Sequence, residues 1–275
     1  MGKKLSDLVI MSDIDGTLLD SSGNLPKRNI AALERFTAAG GRFAVATGRS
    51  LIVARPIVKA LPVNFPCVVY NGGATYDYGR RKYIDRIFLP QGAEKHFAKI
   101  WEAFPDCGAV LAGEHYIDVE GSTKRKQSWW LNQYPESHVR PAKLSEITQP
   151  AYKALLVLPV QRSQLLYEYL TEHAADFEGV RFVFSGATMF EMLPEGSSKG
   201  SAIERLLVHT GVKRENIVAA GDYYNDLEMF ALAGLSAAPS SAQEEVKAAA
   251  DVILGSCDEG AVADLVEHLE ERYGD

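Results

Sequence analysis

The chain has 275 residues, enough to bury a large core as one big domain or two modest ones, with 47% hydrophobic and 24% charged residues as in ordinary globular proteins. Its net charge of -7 argues against a nucleic-acid or anionic-membrane surface, since both need a basic field. Three widely spaced cysteines (Cys67, Cys107, Cys257) offer neither a disulfide framework nor a zinc pattern and fit a reducing compartment.

In chain order, the basic start Met1-Gly2-Lys3-Lys4 precedes an apolar run too short for a signal peptide, and no stretch approaches a membrane span, so the expected location is cytoplasmic. Met1-Gly2 with Ser6 matches a myristoylation start only superficially. Leu8–Met11 reads as a buried strand, followed by helix periodicity around Lys27–Ala39. A strand at Arg42–Ala46, a helix around Leu51–Leu61 and a strand at Cys67–Tyr70 come next. Toward the C-terminus, Ser201–His209, Leu227–Ala233, Glu244–Ala249 and Ala261–Arg272 read as helices, and Ile217–Ala220, Leu235–Ala238 and Val252–Leu254 as strands. This order predicts an α/β, Rossmann-like parallel-sheet core with helices on both faces.

The middle is different. Between Ile84 and Leu193 lie most of the aromatics and two hairpin patterns, Ala109–Leu111 with Tyr116–Val119 and Val180–Phe184 with Met189–Leu193. The reading is an inserted α+β cap domain over residues 83–193, with the core formed by 1–82 and 194–275. Gly79–Lys82 and Leu193–Gly196 are the expected hinges.

Strand-like runs of the two flanking halves end in complementary polar clusters. The first ends in Asp13-Ile14-Asp15-Gly16-Thr17-Leu18, where two carboxylates two residues apart can lean to one side of a sheet and Gly16 lets the chain turn. Like charges held so close ask for a cation, most simply Mg²⁺, and leave one carboxylate available as a nucleophile. The second run ends in Thr47-Gly48-Arg49-Ser50, and Ile217–Ala220 leads into Gly221-Asp222-Tyr223-Tyr224-Asn225-Asp226. In an open parallel sheet such clusters converge at the carboxyl ends of the strands, where ligands bind. Gly196-Ser197-Ser198-Lys199-Gly200 adds capping hydroxyls, a helix N-terminus and a lysine suited to an anion.

With these segments the chain resembles the haloacid dehalogenase superfamily of phosphatases, specifically its Cof-like branch with a large α/β cap (class IIB). Asp13–Leu18 resembles the first motif, Thr47 in Ala46-Thr47-Gly48-Arg49 the second, Lys199 the third and Gly221–Asp226 the fourth, while Tyr70-Asn71-Gly72-Gly73 matches an Asn-Gly loop of that branch. Tyr223-Tyr224 departs from the small or acidic residues more familiar in the fourth motif.

The resemblance implies that Asp13 attacks phosphorus to form an aspartyl-phosphate, while Asp15 protonates the leaving alcohol and then takes a proton from water. It implies Mg²⁺ held by Asp13, the main-chain carbonyl of Asp15 and Asp222. The Thr47 hydroxyl and the backbone at Ile14 and Gly48 would donate to phosphoryl oxygens. Lys199 would neutralise them and pair with Asp13, Asn225 would bind the phosphoryl group or substrate, and Asp226 would steady Lys199 or a metal-bound water. Asn71-Gly72 would form a turn beside the pocket, and Arg49 either helps the phosphate site or sits at its helix start.

The function expected is Mg²⁺-dependent hydrolysis of a small phosphorylated metabolite, with sugar phosphates as the substrate class, no nucleic-acid or membrane partner, and a monomer or homodimer. The insertion would act as a lid. A phosphosugar mutase of the same superfamily and a non-catalytic metabolite-binding or regulatory protein are the alternatives. Trp129-Trp130 could stack on substrate and Lys124-Arg125-Lys126 could attract a second anion, although one Trp in core and a solvated charge run are the plainer readings; His115 and His138 lack metal-ligand spacing.

Overall fold

The computed structural model describes residues 2–113, 116–120, 139–143, 146, 149–158, 160–186 and 189–274. His115, Lys124-Arg125-Lys126, Trp129-Trp130 and His138 lie outside the described residues. The chain divides into two compact units, one made of Met1–Arg86 with Ser198–Asp275 and the other of Ile87–Ser197.

The first unit is built on a five-stranded parallel sheet. Its strands are β1 (Val9–Ser12), β2 (Arg42–Val45), β12 (Ile217–Ala220), β13 (Leu235–Pro239) and β14 (Val252–Leu254), in the order β14-β13-β12-β1-β2. Every residue of β1, β12 and β13 is buried, the signature of a parallel sheet covered on both faces. The covering helices are α1 (Lys27–Ala38), α2 (Leu51–Lys59), α5 (Lys199–Thr210), α6 (Leu227–Leu232), α7 (Glu244–Ala249) and α8 (Ala261–Tyr273), with α1 packed on α8 and α5 on α6. A small antiparallel sheet, β3 (Cys67–Val69), β4 (Ala74–Asp77) and β5 (Lys82–Arg86), continues from β2 through a bridge between Ala46 and Val68.

The second unit carries α3 (Glu94–Ala103), β6 (Gly108–Ala112), β7 (Tyr116–Glu120), β8 (Val139–Lys143), β9 (Lys153–Val157), α4 (Val160–Glu172), β10 (Val180–Gly186) and β11 (Met189–Pro194). Among the described residues its six strands run in the order β10-β11-β9-β6-β7-β8, antiparallel except for β7 beside β8. Alternate residues of three strands (Ala109 and Leu111, Ala154 and Leu156, Phe190 and Met192) meet Phe97 and Ile100 of α3, Phe104 just beyond it, and Leu166 and Leu170 of α4 in one core. Residues one step out of phase, Lys153 and Glu191, form a buried ion pair at 2.7 Å on the other face.

Two expectations need correction. Gly79–Lys82 is no hinge: Gly79–Arg81 lie in the hairpin turn between β4 and β5, with Arg81 at φ 53°, Lys82 opens β5, and all lie in the first unit. Turns and linkers share a composition of Gly and charged residues, so the sequence alone does not separate them. Helix α2 stops at Lys59, not Leu61. Among the described residues no helix is long and apolar enough to cross a membrane.

Candidate active site

Register explains why distant segments meet. Within β1, Ser12 lies opposite Ala220 of β12 on one side and Val45 of β2 on the other, so all three strands end level. The ladder continues one step further, with the Asp13 N–H donating to Ala220 O at 2.8 Å and the Ala46 N–H to Ser12 O at 2.8 Å. Asp13, Thr47 and Asp222 therefore emerge at one edge of the sheet.

Lys199 is the hub. It is 1% exposed, and its Nζ donates to Asp13 Oδ1 at 2.5 Å and to Asp226 Oδ1 at 2.6 Å. Helix α5 starts there because Ser198 accepts the Ser201 N–H while the Ser201 hydroxyl receives the Ser198 N–H. Asp226 is fully buried, and its Oδ2 takes the N–H groups of Asp222 (3.0 Å) and Tyr223 (3.1 Å), so it steadies both Lys199 and the loop carrying Asp222. Thr17 donates to Asp222 Oδ1 at 2.9 Å.

Asp15 stands apart from that cluster, with both carboxylate oxygens held by Arg49: Nε to Oδ2 at 2.8 Å and Nη2 to Oδ1 at 2.6 Å. Arg49 is thus more than a residue at a helix start. Its own N–H donates to Thr47 Oγ1 at 3.0 Å, which places the hydroxyl expected to bind phosphate beside the fork. Ile14 is buried and its carbonyl accepts from Leu18 and Leu19. Asn225 donates to Asn71 Oδ1 at 3.0 Å, and Gly48 lies against the Asn71 side chain. The structure hence joins the second motif, the Asn-Gly loop and the fourth motif. The Tyr223 and Tyr224 rings pack edge to face, and Tyr224 donates to Glu245.

Thr17 and the pairing of Arg49 with Asp15 were not assigned from sequence. Thr17 had a signal, a hydroxyl two residues beyond the second carboxylate. The Arg49 fork had none, because it depends on how α2 is seated.

Asp13, Asp222 and Asp226 each bring a carboxylate oxygen within 4.8 Å of the others, against one buried ammonium. Asp226 spends both oxygens on Lys199 and two amides, whereas Asp13 and Asp222 spend only Oδ1 on the bonds named above, leaving Oδ2 outside them. Burial holds the Asp13 carboxyl well above the usual range; Lys199 opposes this, and Asp226, Asp222 and Asp15 add to it. Burial likewise pushes Asp222 up to about 7, Asp226 adding and Thr17 and Lys199 opposing. Lys199 is shifted upward: desolvation, the largest influence, works against its charge but is outweighed by Asp13 and Asp226 together. Hard oxygen donors with an excess of negative charge fit a small divalent cation such as Mg²⁺.

A test follows from the direction of these shifts. An unfolded Asp ionises near pH 4, so between about 4 and 7 the folded, metal-free protein keeps a proton on Asp222 that the unfolded chain has lost. Stability carried by this group is therefore present at low pH and lost as pH rises through that window. Urea midpoints of the metal-free protein should fall across the window relative to Asp222→Asn, and Mg²⁺ should restore the loss at pH 8. A wild-type-minus-variant difference that does not change with pH would exclude the shift.

Gly16 sits at φ +79°, and a Cβ there would come 2.4 Å from Asp222 Oδ2. Gly16→Ala should therefore displace Asp222 and remove any Mg²⁺-dependent rise in melting temperature. A full Mg²⁺ shift in that variant would show that the loop yields easily.

The profile for haloacid dehalogenase-like hydrolases matches residues 10–266. The chain belongs to that family. It is 27% identical over 270 residues to a protein named pyridoxal phosphate phosphatase YbhA from Escherichia coli (strain K12), covering 95% of this chain and 98% of that one. It is also 27% identical over 284 residues to a protein named 5-amino-6-(5-phospho-D-ribitylamino)uracil phosphatase YwtE from Bacillus subtilis (strain 168), covering 94% and 97%. A haloacid dehalogenase-like hydrolase from Bacteroides thetaiotaomicron has the same fold, with a TM-score of 0.79 and 26% identity over 95% of this chain and 99% of that one. The α/β class read from the sequence is that of the family, and the protein is an enzyme of the hydrolase class.

Proposed function

We propose that the protein is a Mg²⁺-dependent phosphatase that hydrolyses a small phosphorylated metabolite through a phosphoryl group carried on Asp13. The observation that carries this reading is the buried contact of Lys199 with Asp13 at 2.5 Å, beside Asp222 at the same sheet edge. A lysine so placed holds a carboxylate in position and meets the negative charge of an incoming phosphate. The relatives named above support the class of reaction, and their two named substrates differ at the same identity, so likeness does not choose the substrate. Sugar phosphates remain our proposed class.

Chemically, a carboxylate oxygen of Asp13 forms a bond to phosphorus as the bond from phosphorus to the ester oxygen breaks, and the departing oxygen takes a proton from Asp15. Asp15, now a carboxylate, takes a proton from water as that water bonds to phosphorus and Asp13 leaves. Both oxygens of Asp15 accept from the Arg49 fork, as a carboxylate does, so to act as the acid Asp15 must first leave the fork and take up a proton from solvent. Lys199, the Thr47 hydroxyl and the N–H groups of Ile14 and Gly48 would receive the phosphoryl oxygens, with Asn225 and Asn71 beside them. Mg²⁺, held by the Asp13 and Asp222 side chains and the Asp15 carbonyl, would offset the charge of phosphate and nucleophile. The inserted unit, 87–197, is our candidate for the substrate-selecting domain.

A panel of phosphomonoesters assayed with and without Mg²⁺ tests the proposal. Inorganic phosphate release that needs the metal is the expected result. Isomerised sugar phosphate without release would make the protein a mutase, and no turnover across the panel would sink the enzyme reading.

A further inference from the structure

We propose that Arg205, which lies outside every motif, is a positioning residue that sets the anion-binding geometry of the Asn71-Gly72 loop; the inference rests on the phosphatase reading of this site. Arg205 projects from the second turn of α5, and its guanidinium fork has three partners on three segments. Nε pairs with Asp85 of β5, Nη2 donates to Gly72 O at 3.0 Å, and Nη1 donates to Ser201 Oγ at 3.3 Å. Each partner leads to something the site uses.

Gly72 is pressed on the residue before Lys199: at φ +90°, a Cβ there would come 2.0 Å from Ser198 O. Its carbonyl follows Asn71, a non-glycine residue held in the left-handed region at φ 53°. Asparagine takes that backbone more readily than other side chains, but Tyr70 before it is also left-handed, at φ 56°, and two such residues in succession persist where neighbours over-determine them. The Asn71 N–H donates to Thr47 O, its side-chain oxygen accepts from Asn225, and Arg205 fixes the next peptide. Ser201 completes the reciprocal cap with Ser198 that starts the helix of Lys199. Asp85 lies beside Arg86, where the chain leaves the first unit, and Ser198 is where it returns. One side chain therefore ties both crossings of the chain to the loop between Thr47 and Asn225. An ion pair with Asp85 alone would need only a point charge. Reaching a carbonyl and a capping hydroxyl together needs the planar fork, so lysine is not an equivalent.

The test uses the full chain and inorganic phosphate as the probe, with Mg²⁺ present. Arg205→Lys should raise the Kd for phosphate, by calorimetry, about fivefold or more and raise KM for a hydrolysed phosphomonoester by a similar factor, with kcat within about twofold. Asn71→Ala should weaken phosphate binding in its own right. Arg205→Lys combined with Asn71→Ala should be no weaker than Asn71→Ala alone, because Arg205 acts through that loop. Arg205→Met should match Arg205→Lys; should it fail to fold, the lysine variant, which keeps a charge beside Asp85, carries the test. Unchanged Kd and KM in Arg205→Lys, or losses that multiply in the double variant as a general loosening would give, overturn the assignment. A wild-type protein that neither binds phosphate nor hydrolyses any ester overturns the phosphatase reading and this one with it, an outcome distinct from a competent wild type with indifferent variants.

Discussion

Asp13→Asn should lower turnover of any phosphomonoester substrate by at least about 10⁴-fold while leaving the fold in place. The change is nearly isosteric, and the amide oxygen still accepts from Lys199, so the hydrogen bond at 2.5 Å is kept in kind. It also removes one of the three carboxylates that crowd the site, which burial and like charges disfavour. Loss of activity should therefore come with an unchanged or higher melting temperature. The pair of measurements separates a chemical role from a structural one. Turnover within tenfold of wild type would remove Asp13 as nucleophile, and loss of activity through unfolding would show as a lower midpoint.

Lys199→Met should have the largest effect on stability, about 3–5 kcal/mol, because it leaves buried carboxylates with no ammonium beside them. Both ion-pair partners are nearly or fully buried, with side chains 10% and 0% exposed, so solvent cannot replace the lysine. The sign with pH is fixed. Without Lys199 the upward shift of Asp13 grows, so the variant binds protons when folded that the unfolded chain lacks, and its deficit should shrink as pH falls from 8 to 5. Urea unfolding of both proteins at the two pH values measures this. A deficit that is the same at pH 5 and 8 would mean that cavity formation, not charge, dominates. Lys199→Arg should not rescue, since no space for a larger planar head is expected around a side chain that is fully buried.

Much of the core was legible because short β-branched runs precede each polar cluster: Leu8–Met11 before Asp13, and Ile217–Ala220 before Asp222. A run of that kind is a buried parallel strand, and the carboxyl end of such a strand faces ligand. Both predicted hairpins of the insertion occur as well, since alternation and a turn signal are local properties. What sequence could not supply was the tertiary pairing of long side chains. Arg49 reaches Asp15 and Arg205 reaches Gly72 only once α2 and α5 are docked. Nor did composition mark where the insertion begins. β5, Lys82–Arg86, is polar and only partly buried, and it looks like a linker, although it pairs with β4 in the first unit.

The level ends of β1 and β12 also bear on how the molecule is made. Thr17 and Asp222 are 205 residues apart in the chain. At a ribosomal pace of about 5–20 residues per second, the emerging β1 waits roughly 10–40 s for its second neighbour, β12. For that time the apolar stretch Val9-Ile10-Met11 of the central strand β1 has β2 on one side only. The nascent polypeptide thus carries an open sticky border until β12 has been translated, and the site cannot assemble before Asp222 and Asp226 emerge.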